Sequence, residues 1–280
     1  MSTQVHPAAV VEKGAELAEG VVVGPGAYVG PNVKVGKGTV IQANAWVGGH
    51  TELGEGNVIY PFASVGNNPQ DLTYRGEPTR LTVGHRNQIR EFTTLNTGTM
   101  KGGGLTSIGN ENMFMAYSHV AHDCHVGSRC VMVNNSMLAG HVTLEDYVIV
   151  SGASAIYQFL RIGESGFITA GAMIGRDVPP FCVAAGHGGA LYGLNVIGLR
   201  RRNFSSDTRT AIKRAYKIVF RSDLKLADAV AKLKSEFAAV KEVQQLAAFL
   251  EKTGKRGTLK DASRVRGRLA PGGGDAAGEE

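Results

Sequence analysis

The sequence has few of the features that mark membrane-spanning, secreted or aromatic-rich proteins. Its three cysteines, Cys124, Cys130 and Cys182, show no CxxC spacing, so free thiols in a reducing compartment are the simplest interpretation. No apolar run approaches the roughly 18 residues of a membrane span. The N-terminus has neither a basic start nor a long apolar stretch, which is not the pattern of a secretory signal. We therefore predict a cytoplasmic protein without stable membrane insertion.

Aromatic residues (7%) and proline (9 residues) are also scarce, whereas glycine is abundant with 38 residues. Without a collagen period, this excess over the average of about 7% glycine indicates many regular turns around a thin aliphatic core. Charge is uneven, because residues 200–280 carry 19 Lys/Arg against 10 Asp/Glu while the whole chain is only +6. This basic part either attracts an acidic protein, a phosphate ligand, nucleic acid or an anionic membrane, or simply forms solvated helix faces.

An aliphatic residue returns every six positions along most of the first 180 residues. A period of six fits neither an α-helix nor a half-buried strand. It predicts a parallel β-helix in which each triangular coil holds three short strands and stacks on the next coil. Glycine often follows the aliphatic residue, at corners where a Cβ is costly. The positions in phase are Val5, Val11, Leu17, Val23, Val29, Val35, Ile41, Val47, Leu53, Ile59 and Val65, and then Ile108, Phe114, Val120, Val126, Met132, Leu138, Leu144, Val150, Ile156, Ile162, Ile168 and Ile174.

Interruptions of this period divide the chain into predicted domains. The β-helix covers residues 1–180, with loop insertions at about 67–82 and 101–107, and long loops in a solenoid often carry function. Residues 181–256 are predicted to form an α-helical domain, because amphipathic spacing begins after Ser205 or Ser206, either of which can cap a helix.

The remaining residues, 257–280, are polar and end in APGGGDAAGEE. This composition predicts a disordered tail.

Four histidines lie close together in the second half of the repeat: His119, His122, His125 and His141. Their positions within the hexads differ, so we expect one or two of them to converge on a cleft. A neutral imidazole with a pKa of about 6.5 can act as a general base, and Asp123 directly after His122 is placed to polarise it. Three imidazoles can alternatively bind zinc. The spacing alone favours neither chemistry.

The chain resembles the UDP-N-acetylglucosamine O-acyltransferases over about residues 5–252. The hexapeptide run, NPQDLTYRGEPT, MKGGGLT, SHVAHDC, LAGHV, DVPP and NxxGLRRR occur together in that family's order. The resemblance implies an all-β left-handed parallel β-helix followed by an α-helical C-terminal domain, assembled as a homotrimer with active sites between subunits.

The implied reaction is the first step of lipid A biosynthesis. It moves an (R)-3-hydroxyacyl chain from acyl carrier protein to the 3-hydroxyl of a UDP-sugar, UDP-N-acetylglucosamine. The resemblance implies no metal, no nucleic-acid partner and no cofactor beyond the phosphopantetheine of the carrier. The basic C-terminal part fits docking of an acidic carrier protein.

The resemblance also implies roles for individual residues. His122 would be the general base with Asp123 beside it, and the N–H of Gly140 would hold the developing oxyanion. Arginine suits phosphate recognition at the nucleotide end. The implied substrate contacts are His119 and His141 at the sugar, Asp71 and Gln158 near it, Asn195, Arg201 and Arg202 at the nucleotide, and Ala170 beside the acyl channel, where a methyl group would shorten the preferred chain.

Four substrate-facing positions depart from the family pattern. Thr73 stands where the family usually has Lys, Asn96 and Tyr157 each replace a His, and Ile197 replaces a Glu. The general-base chemistry is unaffected by these changes. They leave open a modified acceptor, such as a 3-amino sugar nucleotide, and a non-catalytic hexapeptide-repeat paralogue.

Two further enzymes share the repeat. A γ-type carbonic anhydrase needs three converging histidines, usually with an HxxxxH pair, whereas the spacings here are three and three. The N-acyltransferase of the same pathway carries an extra N-terminal domain, whereas the hexads here begin at Val5.

Overall fold

The computed structural model describes residues 2–266 and confirms a parallel β-helix followed by helices. Three parallel sheets, here called A, B and C, form the sides of a triangular prism. Sheet A contains Gln4–Val5, Val22–Val23, Val40–Ile41, Val58–Ile59, Gln88–Ile89, Met113–Phe114, Val131–Met132, Ile149–Val150, Phe167–Ile168, Cys182–Ala185 and Ala190–Leu194. Sheet B contains Val10–Val11, Tyr28–Val29, Trp46–Val47, Ser64–Asn67, Thr94–Asn96, His119–Val120, Met137–Leu138, Ala155–Ile156, Met173–Ile174 and His187–Gly188. Sheet C contains Glu16–Leu17, Val33–Val35, His50–Leu53, Arg80–Val83, Leu105–Ile108, His125–Val126, Thr143–Leu144 and Arg161–Ile162.

The residues in the six-residue phase are the ones that point into the prism. From Val23 onward they are buried, because a further coil covers each of them from below. Val5, in the first coil, is 45% exposed, since nothing in the described chain stacks beneath it. The period therefore determines which side chain of each two-residue strand enters the core and which faces outward.

Three corners join the sheets, and we name them AB, BC and CA after the sheets that they connect. Many corner residues lie in the left-handed region of φ, including non-glycine residues such as Phe92, Asp123 and Tyr147. This conformation costs free energy for a side chain with a Cβ. The sharp corners therefore fix the direction of the side chains that they carry.

Both insertions leave the prism at the BC corner, in successive coils. The first runs from the strand ending at Asn67 to the strand beginning at Arg80. The second contains a short 3₁₀ helix, Met100–Gly102, capped by the Thr99 hydroxyl. The insertions therefore place the two irregular loops one above the other.

The β-structure continues beyond residue 180, where the period predicted its end. Strands Cys182–Ala185 and His187–Gly188 add to sheets A and B in parallel, and Ala190–Leu194 then pairs antiparallel with the first of them. The Pro179-Pro180 pair breaks the hexad, but the ladder resumes after it. The helices are α1 (Val196–Arg201), α2 (Ser206–Phe220), α3 (Leu226–Glu236), α4 (Lys241–Glu251) and α5 (Ala262–Arg266). Ser205 caps α2.

Residues 257–266 differ from the tail predicted by composition, because specific contacts fix them. Leu259 is buried, and Asp261 accepts hydrogen bonds from Tyr216, Arg221 and Ser263. Burial by itself raises the pKa of Asp261, but these donors together lower it to about 2. Residues 267–280 of the predicted tail lie outside the described residues. Within residues 2–266, no helix has the length and apolar character that a membrane crossing requires.

Candidate active site

The BC corner carries a column of functional side chains in successive coils. Asp123, His141 and Phe159 occupy equivalent corner positions with φ of 58°, 62° and 65°. The coils are tied by backbone hydrogen bonds, from the His141 N–H to the His122 carbonyl (3.0 Å) and from the Phe159 N–H to the Gly140 carbonyl (3.1 Å). The repeat therefore stacks residues that are about 18 positions apart in sequence.

His122 and Asp123 form a hydrogen-bonded pair. His122 Nδ1 lies 2.8 Å from Asp123 Oδ2, and the Asp123 side chain is 1% exposed. The carboxylate also accepts the Thr99 N–H on Oδ1 (2.8 Å) and the Thr99 hydroxyl on Oδ2 (2.6 Å). Since an ionised carboxylate only accepts, Nδ1 of His122 must carry the proton. The lone pair of a neutral His122 is therefore on Nε2.

The second insertion is shaped around the Asp123 carboxylate. A Cβ built on Gly102 would lie 2.1 Å from Asp123 Cγ, and one on Gly98 would lie 2.8 Å from its Oδ1. Thr106 Oγ1 accepts the backbone N–H of Asp123 at 2.8 Å. The glycines thus allow the loop to close on a buried anion, which would otherwise be costly.

Asp71, in the first insertion, faces the opposite nitrogen of the imidazole. Its Oδ2 lies 4.0 Å from His122 Nε2. Its Oδ1 accepts the hydroxyl and the N–H of Thr73 at 2.7 and 2.6 Å. These two bonds are the main reason that the pKa of Asp71 lies below its usual value, and Lys101 adds a smaller effect. The two acceptor atoms are close enough that one hydroxyl group beside them could reach both.

Gly140 lies directly against the His122 ring. A Cβ on Gly140 would lie 2.5 Å from His122 Cε1 and 2.8 Å from Nε2. Within the described residues, the N–H of Gly140 donates to no protein acceptor. A backbone donor without a partner, next to the candidate base, can stabilise negative charge that develops on a substrate oxygen.

His141 packs beside the pair, and its Nε2 lies 3.7 Å from Asp123 Oδ2. Its ring meets His122 edge-on at 5.2 Å and stacks on Phe159 at 4.4 Å. Burial lowers the pKa of His141, although the nearby Asp123 partly offsets this effect. The lowered pKa favours the neutral form of His141, whose ring forms one wall of the site.

The geometry does not favour a zinc centre of three imidazoles. His119 points outward from sheet B and pairs with Thr94 (2.6 Å), while His125 lies on sheet C and pairs with Ser107 (2.7 Å). Among the residues that the structure describes, His122, His141 and Asp123 have ligand atoms within 4.8 Å of one another. Both oxygens of Asp123 already accept hydrogen bonds, which suits an orienting carboxylate better than a metal ligand.

Residues near this corner occupy varied environments. Tyr157 and Gln158 are exposed in the coil that follows His141. Asn96 is buried, and its amide donates to the Asn68 carbonyl (2.9 Å), while its Oδ1 has no partner in the described structure. Asn96 thus ties down the base of the first insertion. Ala170, by contrast, lies at a different corner, AB, where it is exposed.

The predicted nucleotide end lies at the CA corner, on the other side of sheet C. Asn195 is nearly buried, since its Oδ1 caps α1 through the Gly198 N–H and its amide donates to the Ser165 carbonyl, both at 3.0 Å. Its amide is therefore occupied in holding α1. Ile197, next to this cap, is 65% exposed.

The two arginines of this end differ. Arg202 pairs with Glu164 at 2.6 Å and lies over the Tyr147 ring at 3.6 Å, so it is already neutralised. Arg201 is exposed and forms no ion pair within the described residues. A single chain thus brings His122 together with Asp71 and Gly140 but leaves the arginines at a different corner.

Three residues enter the site that sequence analysis did not assign to it. Thr99 holds Asp123, Phe159 covers His141, and Lys101 donates to the Thr73 hydroxyl at 3.1 Å. Lys101 brings an ammonium group next to Thr73, where the resembling family usually has lysine. The glycine run after Lys101 indicated that another group approaches the backbone closely there. Nothing in the sequence identified that group as the Asp123 carboxylate.

Comparisons with known proteins give consistent matches. A family model described as UDP-N-acetylglucosamine O-acyltransferase, domain 2, matches residues 177–259, and the bacterial transferase hexapeptide model matches residues 14–49 and 105–140. The acyl-[acyl-carrier-protein]–UDP-N-acetylglucosamine O-acyltransferase of Alkalilimnicola ehrlichii is 52% identical over 258 residues, which cover 92% of this chain and 100% of that protein.

Solved structures agree in fold. The UDP-N-acetylglucosamine acyltransferase of Francisella novicida superposes with a TM-score of 0.90 at 34% identity, covering 94% of this chain and 96% of that one. LpxA from Acinetobacter baumannii superposes with a TM-score of 0.89 at 40% identity, covering 91% and 99%.

Proposed function

The chain belongs to the UDP-N-acetylglucosamine O-acyltransferase family, and from that membership we propose how its residues perform the reaction. The activity is acyl transfer from acyl carrier protein to UDP-N-acetylglucosamine, the first step of lipid A biosynthesis. The transferred group in the proposal is an (R)-3-hydroxyacyl chain, and the acceptor atom is the sugar 3-hydroxyl. The observation that carries the mechanism is the His122–Asp123 pair, whose free Nε2 faces Asp71.

His122 acts as the general base in this mechanism. The sugar hydroxyl lies between His122 Nε2 and Asp71, and Nε2 takes its proton as the oxygen attacks the thioester carbonyl. Asp123 stabilises the imidazolium that forms, because Thr99 keeps its carboxylate on the Nδ1 side. The Gly140 N–H donates to the carbonyl oxygen as it becomes an oxyanion. When the tetrahedral intermediate collapses, the C–S bond breaks and Nε2–H returns its proton to the leaving phosphopantetheine sulfur.

A homotrimer completes the site in this proposal. The catalytic group lies at the BC corner and Arg201 at the CA corner, so the nucleotide end of one site comes from a neighbouring subunit. The apolar outer side chains Val131, Ile149 and Phe167 of sheet A line the same cavity as Asn195 and Arg201. Such a wall suits an acyl chain or a neighbouring subunit better than bulk water. We also propose that Ala170 lies beside the acyl channel.

The proposed location is the cytoplasm. Cys124, Cys130 and Cys182 are unpaired and buried, and burial raises the pKa of each thiol. Buried thiols without disulfides suit a reducing compartment.

The acceptor is tested by the product that the protein forms. Incubation with hydroxyacyl carrier protein and either UDP-N-acetylglucosamine or its 3-amino analogue, followed by mass spectrometry, should give the O-acyl product from the first. An acyl product from the 3-amino analogue alone would assign the altered residues Thr73, Asn96, Tyr157 and Ile197 to a different sugar. Binding of either nucleotide without any product would support the non-catalytic paralogue.

The acidic carrier protein docks on α2 in this proposal. Arg209, Lys213 and Lys217 recur every four residues of α2 and therefore lie on one face of it, and Arg221 follows directly after the helix and lines the same groove. Arg221 is paired with Asp261, whereas Lys213 and Lys217 form no ion pair within the described residues. Complementary charge at such a site mainly increases the association rate and is sensitive to salt.

We expect the double variant Lys213→Glu/Lys217→Glu to raise the KM for acyl carrier protein by roughly tenfold at low salt, as expected for losing about 1.4 kcal/mol of charge attraction. The KM for the UDP-sugar should stay unchanged. Lys232→Glu on α3 is the matched control. Equal KM values for the carrier in the double variant and the control would rule out this docking face.

A further inference from the structure

A chain of hydrogen bonds leads from the surface to the space beside the candidate base. Lys101 Nζ donates to the Thr73 hydroxyl at 3.1 Å, and that hydroxyl lies 2.7 Å from Asp71 Oδ1. The other oxygen of this carboxylate, Oδ2, lies 4.0 Å from His122 Nε2. Lys101 is exposed, whereas the Asp71 side chain is only 23% exposed. The chain therefore connects an ammonium group in solvent to a carboxylate inside the site.

The direction of these bonds follows from the chemistry of the three side chains. An ammonium group only donates, so the Thr73 oxygen accepts from Lys101 and its single proton goes to Asp71 Oδ1. The Thr73 backbone N–H donates to the same oxygen at 2.6 Å. Within the described residues, no hydrogen bond reaches Oδ2 of Asp71. Both donors thus hold Oδ1, while Oδ2 keeps its lone pairs for a substrate hydroxyl.

Lys101 belongs to the 3₁₀ helix Met100–Gly102 of the second insertion. Thr99, the cap of that helix, donates its hydroxyl to Asp123 Oδ2 at 2.6 Å. The same short helix therefore contacts both carboxylates beside the candidate base, one through its cap and the other through the Lys101 chain. Its position determines how the two insertions are placed relative to each other at the site.

We propose that Lys101 is a positioning residue for the acceptor sugar, because its ammonium group acts through the Thr73 hydroxyl to hold the Asp71 carboxylate with Oδ2 facing His122. The proposal rests on the place of Asp71 beside the acceptor in the proposed function, and it identifies the group that orients this carboxylate. A carboxylate held in this direction accepts a charge-assisted hydrogen bond from the acceptor hydroxyl, which is stronger than a bond between neutral groups.

Lys101→Met tests the positioning role, because methionine keeps an unbranched side chain but has no donor. We expect the KM for UDP-N-acetylglucosamine to rise by about fivefold to tenfold, the effect of losing one hydrogen bond of ordinary strength. The kcat should stay within about twofold, since Asp71 contacts the hydroxyl in the ground state and in the transition state alike. The KM for acyl carrier protein should stay unchanged.

Lys34→Met is the matched control for this variant. Lys34 lies on sheet C, where it pairs with Glu16 at 3.3 Å, so the control removes the same group from a different face of the prism. Steady-state kinetics should give the unaltered KM values. Equal KM values for the sugar nucleotide in Lys101→Met and Lys34→Met, at full kcat, would overturn the role of Lys101 and leave the acyltransferase function intact.

A double-mutant cycle tests whether Lys101 acts through Thr73. Thr73→Val removes the hydroxyl but keeps the backbone N–H, so it should raise the same KM by a similar factor. The double variant Thr73→Val/Lys101→Met should have the KM of the single variants, because both changes break one chain. Effects that multiply in the double variant would show that the two residues act independently, which contradicts the proposal.

Thr73→Lys in the Lys101→Met background tests the ammonium group itself. It places the charge directly beside Asp71, so the KM for the sugar nucleotide should return to within about twofold of the unaltered value. Thr73→Leu in the same background offers a side chain without charge and should give no recovery. Circular dichroism checks that the coils remain folded. A folded Thr73→Lys/Lys101→Met protein that recovers no more than the Thr73→Leu control would refute the proposal.

Discussion

His122→Ala is expected to lower kcat/KM for acyl transfer by about 10²–10⁴-fold, the range for loss of a positioned general base. The substitution removes the lone pair on Nε2 that faces Asp71 across 4.0 Å. It leaves the Gly140 N–H and the substrate-binding surfaces in place, so the KM for each substrate should change little. Steady-state kinetics with both substrates varied separates these two effects.

His125→Ala is the matched control for this prediction. His125 lies in the same SHVAHDCH segment, but it points outward from sheet C and contacts Ser107. We expect nearly full activity and an unchanged melting temperature. Full activity of the His122→Ala variant, or equal losses in both variants, would show that His122 is not the base.

Asp123→Asn is expected to lower kcat by about 10²–10⁴-fold without unfolding the protein, by fixing the wrong tautomer of His122. The Thr99 N–H can only donate, so the amide oxygen of Asn must take the place of Oδ1. The amide NH₂ then replaces Oδ2 and donates to His122 Nδ1. An imidazole that accepts at Nδ1 carries its proton on Nε2 and cannot deprotonate the sugar hydroxyl.

Asp146→Asn makes the same change at another corner, where the carboxylate accepts the Ser128 N–H. An amide oxygen can accept that bond equally well, so the control should keep its activity. The double variant His122→Ala/Asp123→Asn should be no slower than His122→Ala, because the two residues act as a unit. Additive losses in the double variant would contradict the proposed coupling between them.

The helical part shows where sequence patterns were sufficient and where they were not. Amphipathic spacing identified α2 and limited its cap to Ser205 or Ser206, because both signals are local, and the structure shows that Ser205 is the cap. The order of residues 257–266 was not predictable from their composition. It depends on Asp261 meeting Tyr216 and Arg221, which lie 45 and 40 residues earlier.

The sequence by itself determined the prism and the residues inside it. A strand has only two faces, so an aliphatic residue every six positions specifies which side chains enter the core and where the corners fall. The same regularity made the two insertions recognisable as the irregular part of the molecule. His122 and Asp123 were identifiable because they are adjacent and chemically matched.

Only the tertiary structure decided which of the four histidines work together and what holds them. Stacking of the coils places Thr99 against Asp123, which comes 24 residues later in the chain. It also places Asp71, in the first insertion, next to His122. It also separates His119 and His125 onto different sheets, and Arg201 onto a different corner. These relations depend on the number of residues in each loop and on the corner at which it leaves. The repeat fixes neither the length of a loop nor the corner at which it leaves, because loop residues added outside the prism change little in the core of the prism.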